Sequence, residues 1–215
     1  LRPADGDLGP GVAGADEIFR LGGGVAAHGL IVEPAVEFVG EQERVELGDA
    51  AQEMIARLVD SPLQPSRLEL LDGAALVASG LPRAGAALVV SFGSVEAAVR
   101  AQQATVTAEA SRMRSRPETM GPGFWRTYDR MLADTGPTRL SISTLSTRVA
   151  ATATEAATAL RGVPGVVTTA AAAFGVVRIA IGGGETVPLA AAIERLRAFV
   201  ASDGGSVVID RGPGI

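Results

Sequence analysis

The chain has 215 residues, 47% hydrophobic and 20% charged, with a formal net charge of −5, enough for one large domain or two small ones with a real core and too apolar for a disordered chain. It has no Cys, a single His (His28), and 19 cationic residues that are all Arg, which excludes thiolate, multi-histidine metal and lysine Schiff-base or P-loop chemistry. The acidic balance (pI ≈ 5.0) and the 4% aromatic content argue against a nucleic-acid surface, and no apolar run of about 18 residues offers a membrane span.

Leu1 opens no basic-then-apolar signal pattern, so the sequence reads as a mature chain or as a fragment of a longer one. Residues 1–34 read as a Gly-rich lead-in or linker; beyond Leu30 an apolar, β-branched stretch, broken at Pro34, reads as a strand over 35–39. Residues 48–59 place Ala51, Met54, Ile55 and Leu58 at i, i+3, i+4 and i+7, one face of a helix, which Pro62 ends. Residues 67–71 read as a strand, 74–79 as either a short helix or a strand, and 86–92 as a further strand. Ser94 is expected to cap a long helix running to about 113. The stretch 35–113 is thus β-α-β-β-α. Residues 114–137 are expected to form a connector, with Pro117, Gly121, Pro122 and Gly123 preceding a short helix over 124–133.

The stretch 138–215 repeats the grammar. It reads as a strand over 139–143, a helix over 146–161 capped by Ser146, strands over 166–171 and 175–181, a helix over 186–201 and a last strand over 206–210. That is the βαββαβ order of a ferredoxin-like unit. The expected fold class is α+β: tandem ferredoxin-like halves with antiparallel sheets covered by helices.

Few motifs carry chemistry. Gly22-Gly23-Gly24 lacks the strand-turn-helix context of a dinucleotide fingerprint and reads as linker. Gly182-Gly183-Gly184 reads as a strand-to-helix loop, with phosphate cradling at the following helix as the alternative. His28 has no neighbouring group to make it an acid or base. Arg112, Arg114 and Arg116, followed by Arg126 and Arg130, form the densest positive patch, beside Trp125 and Tyr128; it is a solvated connector, a carboxylate-binding patch or a subunit contact. The residues alone describe a soluble, cytoplasmic α+β module with no catalytic constellation of its own.

Four segments carry a resemblance: Ser61-Pro62-Leu63-Gln64-Pro65-Ser66-Arg67-Leu68-Glu69-Leu70-Leu71, Phe92-Gly93-Ser94-Val95-Glu96-Ala97-Ala98-Val99, Phe124-Trp125, and Gly204-Gly205-Ser206-Val207-Val208-Ile209-Asp210-Arg211-Gly212-Pro213. In that order they resemble the C-terminal cap domain of FAD-linked oxidases of the vanillyl-alcohol-oxidase type, with most likeness to the small FAD-binding subunit of bacterial glycolate oxidase. The resemblance implies a flavin-dependent oxidoreductase acting on a 2-hydroxy acid such as glycolate. Its FAD is held mainly by a separate N-terminal flavin-binding domain, which is the implied partner alongside other oxidase subunits. It also implies that the isolated chain is inactive and binds no metal, since some relatives hold metal through His and Glu that this chain cannot match. Arg112, Arg114, Arg116, Trp125, Arg126 and Tyr128 are the expected substrate-binding residues, chosen for their position between the halves. The alternative function is a non-catalytic small-ligand or protein-interaction module.

Overall fold

The computed structural model describes residues 25–34, 41–81, 85–121, 123–134, 136–183 and 186–212. Among the described residues, eight strands and six helices follow one another in the order β1 (Val25–Pro34), α1 (Glu41–Val59), β2 (Arg67–Asp72), α2 (Gly73–Ala78), β3 (Ala86–Val95), α3 (Glu96–Arg112), β4 (Ser115–Met120), α4 (Phe124–Asp134), β5 (Thr138–Ser143), α5 (Val149–Ala159), β6 (Val166–Ala171), β7 (Val176–Ile181), α6 (Thr186–Ala201) and β8 (Ser206–Arg211).

The strands form one sheet in the order β4-β1-β3-β2-β6-β7-β5-β8, and every pairing in it is antiparallel. Each half is βαββαβ, the order read from the sequence for the second half and, less its final strand, for the first, with its strands in the spatial order 4-1-3-2. The second half is laid down in mirror order, so the two central strands are the second strand of each half. The two expected sheets are therefore fused into one. The fusion is narrow: Glu69, Leu70 and Leu71 face Ala171, Ala170 and Thr169.

Period-two alternation decides which residues face which side. Leu68 and Leu70 of β2, Leu88, Val90 and Phe92 of β3, and Val177, Ile179 and Ile181 of β7 enter one core with buried residues of α1, α3, α5 and α6. Leu71, Ala87 and Val89 point the other way and meet α2 and α4. Four helices thus cover one face, two per half. On the opposite face, among the described residues, α2 and α4 cover the centre, while Ser143, Ser206, Val208 and Asp210 of β5 and β8 stay exposed. The helical stripe read from residues 51–58 is confirmed: Ala51, Met54, Ile55 and Leu58 are all buried.

Five local readings change. The lead-in contains β1, and the strand expected over 35–39 lies outside the described residues. The helix expected from 48 begins at Glu41. The segment read as connector contains β4, whose Ser-Arg-Pro-Glu-Thr-Met sequence has no apolar alternation because neither of its faces is buried; Pro117 is tolerated there because this edge strand pairs with β1 only and leaves one row of backbone groups unpaired. Ser94 belongs to β3, and α3 starts behind Val95 with no side-chain cap.

Ser146 does not cap α5 either; it opens a 3-10 turn, Ser146–Arg148. The cap comes from another helix. Gln52 of α1 accepts from the Ala150 N–H at 3.1 Å and donates to the Ser146 carbonyl at 2.9 Å, stitching the two halves together on the helical face. Gln52→Ala is expected to cost about 1–2 kcal/mol by leaving both groups unpaired, read as a lower urea midpoint with an unchanged m-value. No helix among the described residues is long and apolar enough to cross a membrane.

Candidate functional site

The site is built by α4 lying on the sheet. Phe124, Tyr128 and Met131 are spaced i, i+4, i+7 and buried, so the helix presents one apolar stripe to β2 and β3. That stripe carries Tyr128 to Glu69 of β2, and the phenol donates to Glu69 Oε2 at 2.8 Å. The Glu69 side chain is only 12% exposed, with Arg178 Nη1 of β7 at 3.9 Å. Burial pushes the Glu69 carboxyl above its ordinary range, opposed by the Tyr128 bond and by the charges of Arg178 and Arg67. Burial, and then the neighbouring Glu69 charge, push the Tyr128 phenol well above its usual range, with Thr169 bonded to the same phenol acting the other way.

Outside this buried pair lies a second layer. Arg67 holds Asp129 through two hydrogen bonds, at 2.8 and 3.4 Å, and its guanidinium sits 4.8 Å from the Trp125 ring centroid. Trp125 meets Phe124 and Tyr128 edge-on, at 5.1 and 5.6 Å between centroids.

Beside the Tyr128–Glu69 pair, the end of α4 and the second half of the sheet enclose a cleft of about 240 Å³, lined by Met131, Leu132, Arg139, Val167, Thr169, Arg178, Ile179 and Ala180. Arg139 and Arg178 stand on adjacent strands: Arg139 faces Ala180, and Ser141 faces Arg178. They are therefore diagonal neighbours on one face, about 7–8 Å apart at their Cα atoms. Arg139 Nη2 donates to the Leu132 carbonyl at 2.6 Å, which fixes its head at the end of α4. The cleft brings Arg139, Arg178 and the Thr169 hydroxyl, which is also bonded to Tyr128, beside the apolar side chains of Met131, Leu132, Val167 and Ala180, while the Ile179 side chain points into the helix-side core.

Of the expected site residues, the structure brings Trp125 and Tyr128 into this region and leaves the others elsewhere. Tyr128 is buried against Glu69, and Trp125 packs under Arg67. Arg126 is exposed on the outer side of α4. Arg112 ends α3 in an ion pair with Glu109, and Arg116 lies on β4. Three strands separate β4 from β6, about 19 Å at 4.8 Å per strand, so the Arg112–Arg116 run does not line the cleft. Arg114 is the residue with a left-handed φ, +55°, among the described non-glycines; it follows the C-cap of α3, a position where glycine is favoured. Arg114→Gly is expected to stabilise the fold by about 1 kcal/mol, seen as a raised melting temperature.

Glu69, Arg139, Thr169 and Arg178 were not singled out from the sequence. One signal was there: Arg178 interrupts the otherwise apolar run Val176-Val177-Arg178-Ile179-Ala180-Ile181, and a charge on the inner part of a strand needs a partner or a ligand. Of the glycine motif before α6, Gly182 donates its N–H to the Gly165 carbonyl at 3.0 Å, so that amide is already used within the protein. Gly22-Gly23-Gly24 lies outside the described residues, as does the side chain of His28. Among the described residues, no group of three or more His, Asp or Glu could hold a metal ion.

No protein-family model matches the chain, and no curated protein matches it. Solved structures do. p-Cresol methylhydroxylase with substrate bound has a TM-score of 0.50 and 12% identity, covering 84% of this chain and 44% of that one. Alkyldihydroxyacetonephosphate synthase has a TM-score of 0.43 and 12% identity, covering 85% of this chain and 40% of that one. The chain therefore spans less than half of each, and its likeness to p-cresol methylhydroxylase is one of fold.

Proposed function

We propose that this chain is the substrate-side domain of a flavin-dependent oxidoreductase, working with a separate flavin-binding domain and acting on a 2-hydroxy acid, of which glycolate is the smallest member. Two things support the flavin part: the sequence resemblance to caps of the vanillyl-alcohol-oxidase type, and the fold shared with p-cresol methylhydroxylase, an enzyme of that type. The observation that carries the substrate part is the Arg139–Arg178 cleft on the sheet face opposite the four helices. Guanidiniums recognise carboxylates through paired N–H donors.

The chain's own described residues do not fit FAD as a resident group. The cleft, about 240 Å³, falls below the ~300–1,000 Å³ of sites that enclose cofactor-sized ligands, and the Gly182 amide is already bonded. In this reading the flavin domain holds the cofactor, and this chain supplies substrate orientation and charge. Desalted after mixing with FAD, the chain is expected to keep no 450 nm absorbance. Joined to its flavin-binding domain, it is expected to let a 2-hydroxy acid bleach the flavin. Flavin retained by the chain alone, or a joined flavin that no 2-hydroxy acid reduces, would overturn the proposal.

A second reading, a non-catalytic interaction module, has one observation in its favour. Phe174, on the turn between β6 and β7, is 80% exposed, and Leu145 nearby is 53% exposed. The bleaching experiment decides between the two.

A further inference from the structure

We propose that two copies of this chain pair antiparallel along β8, edge to edge, so that the sheet of one copy continues into the other about a twofold axis at Val208. The inference goes beyond the function proposed above and does not depend on it.

The first observation is a contrast between the two edges of the sheet, β4 and β8. An edge strand offers a row of unpaired N–H and C=O groups, and chains that stay apart block that row with proline and charge. β4 carries both, as Arg116, Pro117 and Glu118 follow one another in it. β8 runs Ser206-Val207-Val208-Ile209 before its first charge, Asp210. Among the described residues it pairs with β5 alone, and the bulge in that pairing falls at Asp210, so Ser206 to Ile209 keep a regular edge.

The second is where the exposed apolar side chains of β8 point. Val208 is 52% exposed and Ile209 38%. Neighbours along a strand point to opposite faces of the sheet: Val208 stands beside Ser141 on the open face, and Ile209 beside Leu140 on the helical face. A ligand or domain resting on one face covers only one of them. A strand laid along the edge covers both.

The third is that this edge complements itself. In the antiparallel register centred on Val208, that side chain meets its own counterpart on the open face. On the helical face Val207 meets Ile209 of the second copy. Ser206 brings a hydroxyl to the Asp210 carboxylate, which accepts from Ser141 in its own copy and has lone pairs for a second donor. A parallel, in-register pairing would instead set Asp210 against Asp210, and like charges directly opposite repel.

The helix above the edge repeats the match. α5 lies over β6 and β7, and α6 over β8. Arg195 of α6 turns toward α5, where it pairs with Glu155. Arg197 lies about 200° around the helix from Arg195, on the flank above the open edge. The Gly205 N–H bonds the Val200 carbonyl at 2.8 Å, which sets helix against strand. From Gly205 to Val208 the strand advances about 10 Å, and the same distance back along α6 is about six to seven residues, at Glu194. Arg197 donates to Glu194 at 2.7 Å, and both are exposed. Near the axis the acid and base of one copy therefore face the base and acid of the other, an arrangement that attracts.

The experiment uses the absence of Cys from the chain. Val208→Cys places one thiol at the axis, and directly opposed residues of antiparallel strands, about 4.5–5.5 Å apart at Cα, are within disulfide reach. Mild oxidation is expected to convert most of this variant to a covalent dimer. Val77→Cys on α2, where Val77 is 53% exposed, is the control and should stay largely monomeric. One strand pair and one helix pair make a small interface, so sedimentation equilibrium is run at about 100 µM. The unmodified chain should there show twice its 21.8 kDa mass. Val208→Lys sets two like charges opposite each other and should weaken self-association about tenfold or more, with an unchanged urea midpoint in dilute protein.

A monomer at that concentration, a dimer indifferent to Val208→Lys, or a Val208→Cys thiol that crosslinks no faster than the Val77→Cys thiol overturns the inference. So does a dimer abolished by Phe174→Asp and not by Val208→Lys, which would move the contact to the β6–β7 turn.

Discussion

Gly175→Ala is expected to destabilise the protein by about 3–4 kcal/mol, the combined scale of left-handed strain and a lost buried contact. Gly175 closes the 3-10 turn Ala172–Phe174 with φ +66°, a conformation that side chains resist. Space forbids the change as well. A Cβ there would collide with the Thr144 carbonyl oxygen, and that carbonyl belongs to the residue whose N–H donates to the Gly175 carbonyl at 2.8 Å. The β6–β7 turn and the end of β5 would have to separate. The readout is a fall in the urea midpoint, with amide exchange accelerating at Thr144. A loss below about 1 kcal/mol, the range of a simple propensity change, would show that the close approach is not as drawn. The same approach sets the pose of Phe174, so the variant also tests whether that exposed ring is held in place.

Asp72→Ala is expected to cost about 3–4 kcal/mol, from a lost N-cap and two buried N–H groups left without acceptors. Asp72 ends β2 and caps α2: one carboxylate oxygen accepts from the Ala75 N–H at 2.7 Å and the other from the Thr168 N–H of β6 at 2.8 Å. A single side chain thus anchors α2 and extends the narrow seam between the halves, where three residue pairs face one another. Asp72→Asn keeps one acceptor and should cost about half as much. If Asp72→Ala proves as mild as an exposed cap, about 1 kcal/mol, the seam is held by helix packing instead.

This carboxyl and that of Glu69 also set a pH dependence. Burial raises both above their ordinary values of 3.8 and 4.5. Between the ordinary and the raised value the folded chain binds more protons than the unfolded chain. Their contribution to stability is therefore greatest below that window and declines as pH rises through it. Glu69→Gln keeps an acceptor for the Tyr128 hydroxyl and removes one titration. Urea midpoints from pH 4 to 7 should fall less steeply with rising pH in that variant than in the parent. A steeper fall would place the Glu69 carboxyl below its ordinary range, as an anion its neighbours stabilise more than burial opposes.

Much of the fold is legible in the chain because local periodicity reports burial. Ala51, Met54, Ile55 and Leu58 repeat at helical spacing, and Leu140 and Ile142 alternate as a strand does; all six are buried where the pattern places them. The βαββαβ order of the second half follows from such segments alone. Legibility fails where an element has little buried surface to encode it, as in β4. It fails again where the satisfying partner is distant in sequence. The amide of Ala150 is capped by Gln52, 98 residues away, so Ser146, the nearest local candidate, drew the wrong reading.

The site was less legible than the fold. Tyr128 and Trp125 stood out as rare residue types; Tyr128 is buried against Glu69 and Trp125 packs on Arg67, Phe124 and Tyr128. Arg112, Arg114 and Arg116 stood out by density, yet a run of charges near a helix end is most easily solvated, and there they remain. The residues that line the cleft, Arg139, Thr169 and Arg178, are single positions on three strands.

Composition and periodicity by themselves determined that this is an α+β chain of two similar halves, βαββα and βαββαβ, without thiol, lysine or multi-histidine chemistry, because those properties depend on residue counts and on neighbours within a few positions. Only the tertiary structure decided that the two sheets fuse at β2 and β6, that α4 lies across the seam, and that two arginines meet beside a buried Tyr–Glu pair. Strand register and sheet order bring together residues as far apart as Glu69 and Arg178, and no local pattern encodes which strands pair across such a distance.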